Sequence, residues 1–467
     1  MSSEVPDHND PFRRRMALQF PGCIADLAEL LARLEFVQDD IITEIDLSHN
    51  TAVESCEGLH RFIQRLAQDD QRNCRSIDLS ETGISTDTIL ALCAALAKCP
   101  SITRLKVASL KGPVDWERGL RALCETLSAN DSIEELDMSE NALGTGVSGL
   151  LNVLRGHPKL AVLRLYAVGV PEQAVPMISA LQQIKDLDLG GNTCDFSEVR
   201  WNELVELRSL SLRHSPFAGS LQGLSSCPSL RSLDLTGSVL DSAGFARMCT
   251  VVASSTTLER LCLGGCSGGR IEDALAAVVK NGSITEELDF SSSSCLDVSP
   301  VNADGNGLWV DFCRRVLTVG KLKMRDSALS ALHVEELVRA FYELEDPTSA
   351  RVSEVDLRDN PLGDEGADWV AELLSLACVK TLLLGGNCIE DGTPVCEALR
   401  ARLSTVGSMH TVLCGPSGAS QNRFTREQLQ WLAKVGVKDA NHTAGFNATA
   451  APFLPAAADA FRPFGQP

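Results

Sequence analysis

The chain has 467 residues, 62 acidic against 42 basic, and a formal charge of −20. Such a surface repels nucleic acid and anionic lipid, and no stretch approaches the ~20 apolar residues of a membrane span, so neither nucleic-acid binding nor membrane insertion is expected. Seventeen cysteines, an odd number without a Cys-x-x-Cys pair, fall mostly at apolar positions and predict reduced, buried thiols of a cytoplasmic protein.

Residues 1–41 open on a polar, acidic stretch that reads against a secretory or mitochondrial presequence. Further on, residues 24–34 place Ile24, Leu27, Leu30, Leu31 and Leu34 at helical spacing, predicting a capping helix. From Ile42 the chain repeats itself. The signature Ile42-x-x-Ile45-x-Leu47-x-x-Asn50 returns as Ile133-x-x-Leu136-x-Met138-x-x-Asn141 and Ile184-x-x-Leu187-x-Leu189-x-x-Asn192. It returns again as Val352-x-x-Val355-x-Leu357-x-x-Asn360 and Val379-x-x-Leu382-x-Leu384-x-x-Asn387. Its first residue marks starts near 42, 74, 102, 133, 160, 184, 207, 230, 258, 285, 319, 352, 379 and 408, so residues 42–418 read as a solenoid of about 14 units.

Within each unit the paired apolar residues point to one side of a short strand, and the residue between them points to the other. Equivalent strands of successive units then form a parallel sheet. The Asn that follows carries a donor and an acceptor, and can satisfy backbone groups where the chain turns inward. Asn50, Asn141, Asn192, Asn360 and Asn387 are therefore expected to form a structural ladder, with Thr82, Ser215, Ser238, Cys266, Ser293 and Ser327 in its place elsewhere. The outward residue is Asp46, Asp78, Asp137, Asp188, Asp234, Asp289 and Asp356 in seven units. Two readings stand side by side: an acidic stripe that steers a basic partner, or a common way to write this strand. Lys321, Lys323 and Arg325 interrupt the acid and zone the face, which suits a protein partner of mixed charge.

Most units span 27 to 34 residues, and stretches such as 85–96 and 363–374 predict amphipathic helices on the return path. Three consecutive units from 160 to 230 are only 24, 23 and 23 residues long, with room for no more than a helical turn. The interval 294–308 reads as a loop lifted out of the tenth unit. Residues 419–437 predict a C-terminal capping helix, opened by Thr425 reaching Gln428. Residues 438–467 lose all period and become Ala-, Pro- and Phe-rich. They read as a disordered tail, or as a linear peptide anchored to a partner through Phe453, Phe461 and Phe464.

This signature resembles the leucine-rich repeat over residues 42 to 416, and Asn360-Pro361-Leu362-Gly363-Asp364-Glu365-Gly366-Ala367 resembles its ribonuclease-inhibitor-like subclass. The resemblance implies an α/β solenoid, a horseshoe with a parallel concave sheet and a mostly helical convex side. It also implies a non-enzymatic scaffold for protein partners, similar to cytoskeletal and ciliary or flagellar axonemal adaptors. The alternative is a regulator similar to the GTPase-activating protein of Ran, but the first loop, Ser48-His49-Asn50-Thr51-Ala52, lacks the arginine that family uses. No phosphate-cradling loop, nucleophile elbow or His-Glu-x-x-His occurs, so no catalytic, cofactor or metal residues are expected.

Overall fold

A computed structural model describes residues 16–19, 42–50, 63, 74–215, 221, 223–296, 298–300, 307–405, 411–413, 422 and 424–434. The helix expected over 24–34 and the segment 438–467 with its phenylalanines lie outside these residues.

Fifteen parallel strands among the described residues form one open sheet in strict chain order, from Met16–Gln19 to Thr411–Leu413. Register follows the signature: Ile45 pairs with Ile77, Leu136 with Leu163, and Val355 with Leu382. Strand Met16–Gln19 was not anticipated; it pairs with Ile42–Asp46 and adds a strand ahead of the first signature. Its sequence, Met-Ala-Leu-Gln, is too short to show a period.

Return paths divide as the unit lengths require. Helices Thr86–Lys98, Trp116–Ala129 and Gly146–Leu154 back the early strands, and Ser242–Ser254, Ile271–Lys280, Leu308–Val316, Ala331–Tyr342, Gly363–Ser375 and Thr393–Thr405 the later ones. Between them the short units return through one-turn 3-10 helices such as Phe196–Glu198, Trp201–Glu203 and Leu224–Ser226. A 23-residue unit has too little chain to lay a helix over the sheet. Bulky side chains supply the apolar volume instead: Phe196 and Trp201 are among the largest fully buried residues of the protein. The core runs without a break through thick and thin units, as expected when each buries its face only against its neighbours.

One backbone feature recurs in step with the ladder. The residue just before each ladder position has a left-handed conformation, in a series from His49 (φ 61°) through Glu140 (58°) and Asp359 (58°) to Gly386 (75°). That φ turns the chain off the strand and swings the next side chain inward. Asn141 and Asn192 then do equivalent work. Asn192 Nδ2 donates to the carbonyls of Leu165 and Leu189, both at 2.8 Å, while its Oδ1 accepts from the amides of Gly169 (2.9 Å) and Val170 (3.1 Å). Asn141 donates to Val107 and Met138 and accepts from Leu110. Both asparagines tie their own unit to the one before. Asn50 donates to Leu47, and Asn387 to Leu357 and Asn360. Of the hydroxyl residues, Ser238 Oγ reaches the preceding unit at Leu212 and Ser327 Oγ at Phe290, whereas Thr82 and Ser293 donate to Leu79 and Ser291 within their own units.

At the C-terminal end, helix Arg426–Lys434 opens with a reciprocal pair: the Thr425 amide donates to Gln428 Oε1 (2.8 Å) and the Gln428 amide to Thr425 Oγ1 (3.2 Å). Phe424 is buried against the main body. Among the described residues, no helix is long and apolar enough to cross a membrane.

Two buried histidines act as backbone acceptors. The Ser330 amide donates to His333 Nδ1 (3.1 Å), which leaves Nε2–H to donate to the Val298 carbonyl (3.0 Å) and tie down the edge of the long interval. His157 Nδ1 accepts from the Leu160 amide (3.2 Å). Burial lowers the pKa of both rings. Folded values below the unfolded value of about 6.5 mean that stability is full above that pH and declines as pH falls through the folded values. The thermal midpoint should therefore drop between pH 7 and pH 5, with both rings titrating below 6.5 by NMR. Rings that titrate at or above 6.5 would contradict this account.

Candidate protein-binding face

Two outward residues per strand, on either side of the buried central one, floor the concave face: Glu44 and Asp46, Ser76 and Asp78, and so on to Glu354 and Asp356. All seven aspartates of the expected stripe sit in this row, and each uses a carboxylate oxygen locally. Oδ1 of Asp46, Asp78, Asp137, Asp188, Asp234, Asp289 and Asp356 accepts from the backbone amide two residues on, at 2.9–3.1 Å. Those amides lie where the strand ends and the ladder stops serving them, so the carboxylate closes an Asx turn. Two units without the aspartate solve the same problem from next door. Lys106 and Arg164 occupy the position in two units, and there the amides of Ala108 and Tyr166 donate to Ser80 Oγ (3.2 Å) and Ser139 Oγ (3.3 Å) of the unit before.

A turn acceptor need not be charged. Asp78→Asn should therefore leave the thermal midpoint unchanged, whereas Asp78→Ala should cost on the order of 1 kcal/mol. Equal losses in both would mean that the charge itself matters.

The basic residues lie in the same rows as the acids, interleaved rather than zoned. Lys323 stands between Asp289 and Asp356 in register, and its Nζ is 2.5 Å from Glu287 Oε1. Lys321 pairs with Glu354 (3.3 Å) and Arg325 with Asp359 (2.7 Å). Similar pairs join Arg104 to Glu44, Arg213 to Asp188, Arg260 to Glu286, and Arg164 to Glu135 and Asp186. Burial opposes the Lys323 charge, but Glu287 and Asp289 hold its ammonium above the usual lysine range. Beside it the Cys262 thiol is pushed up to about 12, first by burial and then by Asp234, Glu287 and Asp289. The donor atoms of Cys262, Glu287 and Asp289 lie within 4.8 Å of one another, the one such group among the described residues, and Lys323 supplies the positive charge there.

A second set of polar ties, on the return side, was missed in the sequence. Asn130 and Asn281 each end a helix, accept from the amides two and three residues on, and donate back to the preceding helix end at Leu96 and at Val252 and Ser255. Both stand in Asn-x-Ser-Ile just before the strand, a spacing that could have revealed them. Arg315 and Arg402 play a related part with guanidinium groups. Asn422 is also missed: its Oδ1 accepts from the amides of Asn387 (3.0 Å) and Ile389 (3.2 Å), as a further rung of the ladder. The signal is Asn422-Arg423-Phe424, matching Asn387-Cys388-Ile389, but eight residues intervene between Leu413 and Asn422 where three separate its register partner Leu383 from Asn387.

A family model described as "Leucine Rich repeat" matches residues 352–368. Three curated proteins are similar over larger parts. NACHT, LRR and PYD domains-containing protein 5 of Homo sapiens is 23% identical over 69% of this chain and 28% of its own length. NACHT, LRR and PYD domains-containing protein 12 of Homo sapiens is 28% identical over 54% of this chain and 24% of its own. Ribonuclease inhibitor of Mus musculus is 25% identical over 52% and 56%. The chain thus spans about a quarter of the first two relatives and just over half of the third.

Proposed function

Because the chain is a leucine-rich repeat protein of the ribonuclease-inhibitor-like type, we propose that it is a non-enzymatic scaffold holding protein partners on its concave face and through its Phe- and Pro-containing C-terminal segment. The fold supports protein interaction in general. One observation carries the reading for the concave face: many of its charged side chains are already held, by Asx turns within units and ion pairs between them. A partner meeting such a surface orders few additional rotamers, and this lowers the entropic cost of association.

The finer reading, an adaptor within a cytoskeletal or ciliary and flagellar axonemal complex, extends the resemblance in repeat type. Affinity purification of the tagged full chain, beside a version ending at Lys438, tests both levels. Cytoskeletal proteins recovered with the full chain and lost on truncation would make the tail with Phe453, Phe461 and Phe464 the anchor. Retention by both forms would assign binding to the solenoid. Recovery of a Ran-type GTPase, with faster GTP hydrolysis in its presence, would replace the scaffold with a catalytic regulator.

A further inference from the structure

Several cations of the outward rows are matched by acids of neighbouring units, but where the chain enters the strands of the short units three cations stand together. At that entry position successive units carry Glu134, Ala161, Lys185, Arg208, Arg231 and Glu259. The three central residues are stacked directly on one another: the Arg208 amide donates to the Lys185 carbonyl and the Arg231 amide to the Arg208 carbonyl, both at 2.8 Å. Adjacent strands stand about 4.8 Å apart, so three exposed like charges in register repel one another. Arg231 is relieved by Glu259, whereas Lys185 and Arg208 have no ion pair among the described residues. A protein of charge −20 thus keeps three cations aligned in successive units.

We propose that the strip Lys185–Arg208–Arg231 docks an acidic peptide segment of a partner protein, a reading that rests on the scaffold function above. Its neighbourhood fits a peptide better than a phosphate polymer. Lys185 also lines a hollow of about 480 Å³ with Lys159, Pro158 and Leu160, and Glu134 and Glu206 line it too. Those two carboxylates repel a uniform polyanion but accept a segment with interspersed neutral or basic side chains. Val205, half exposed and adjacent in sequence to Glu206 of that lining, offers an apolar side chain on the same turn.

The test uses the full chain and a fluorescein-labelled peptide alternating glutamate and serine, with its lysine–serine counterpart and an RNA oligonucleotide as comparisons. The acidic peptide should bind at low salt and weaken as salt rises. Lys185→Glu with Arg208→Glu should weaken it roughly tenfold or more. Lys380→Glu, at the same entry position of a distant unit, should leave it within about twofold of the parent. Arg208→Glu alone should leave the thermal midpoint unchanged or raised, because a carboxylate there attracts both Lys185 and Arg231. No binding by the parent chain, equal loss in Lys380→Glu, or a lowered midpoint in Arg208→Glu would each overturn the proposal. Tighter binding of the RNA than of the peptide would also overturn it, in favour of nucleic acid. If the Lys185/Arg208 double reversal still recovers the parent's partners from cells, the strip is excluded while the scaffold reading stands.

Discussion

Asn360→Ala is expected to lower stability by about 3–4 kcal/mol, one of the largest losses available to a single substitution in this chain. The side chain is fully buried, and its amide donates to the carbonyls of Met324 (2.8 Å), Leu357 (2.9 Å) and Arg358 (3.1 Å). Its Oδ1 accepts from the amides of Ser327 and Leu329, both at 3.0 Å. Alanine strands buried backbone groups of two adjacent units, and each costs about 1–3 kcal/mol if left unpaired. Local relaxation keeps the total below the simple sum. Asn360→Asp should cost at least as much, since a carboxylate retains the two acceptor contacts but sets a buried charged oxygen against three carbonyls. Denaturant melts of the three proteins measure this, and an alanine variant as stable as the parent would remove the ladder as a source of stability.

Arg402→Ala should cost about 3 kcal/mol, and Arg402→Lys should recover little of it. Arg402 is 4% exposed on helix Thr393–Thr405. Its guanidinium donates to the carbonyls of Leu374 (2.6 Å), Leu376 (2.7 Å) and Val379 (2.6 Å), where the preceding helix ends and the chain turns toward its strand. Helix ends leave carbonyls without intrahelical partners, and here one planar group satisfies those of Leu374 and Leu376 together with that of Val379 across the junction between units. Burial disfavours the charge and lowers its pKa, yet arginine stays protonated at any pH at which the protein is studied. An ammonium on a flexible stem cannot span the same three acceptors, so lysine fails on geometry rather than charge. Stability in Arg402→Lys equal to the parent would show that charge alone suffices.

The solenoid, its parallel sheet and its division into helix-backed and thin units were legible in the sequence. Their causes are local and repeat: two apolar residues flank an outward one, an asparagine follows at fixed distance, and the length of the return decides whether a helix fits. Asn192 and Asn360 could be located by spacing alone for that reason. The outward row was legible as a position but not as a role. Asp78 and Asp137 look like a ligand stripe in one dimension, and only the turn geometry reveals that each closes on the amide of Ser80 or Ser139. Lys323 reads as part of a basic zone until the register sets it between Asp289 and Asp356, with Glu287 within ion-pair reach.

By itself, the sequence determined the unit, its period and which side chains face inward, because burial in a repeat depends on spacing of 2 along a strand and 3.6 along a helix. Tertiary structure decided what happens between units. Asn422 becomes a rung despite an interrupted signature, Arg402 closes a helix belonging to another unit, and Lys185, Arg208 and Arg231 become one strip. Their partners lie some 23 to 35 residues away, at a separation set by the length of each return rather than by any local preference. Contacts at that range are made by stacking, and stacking is a property of the assembled sheet.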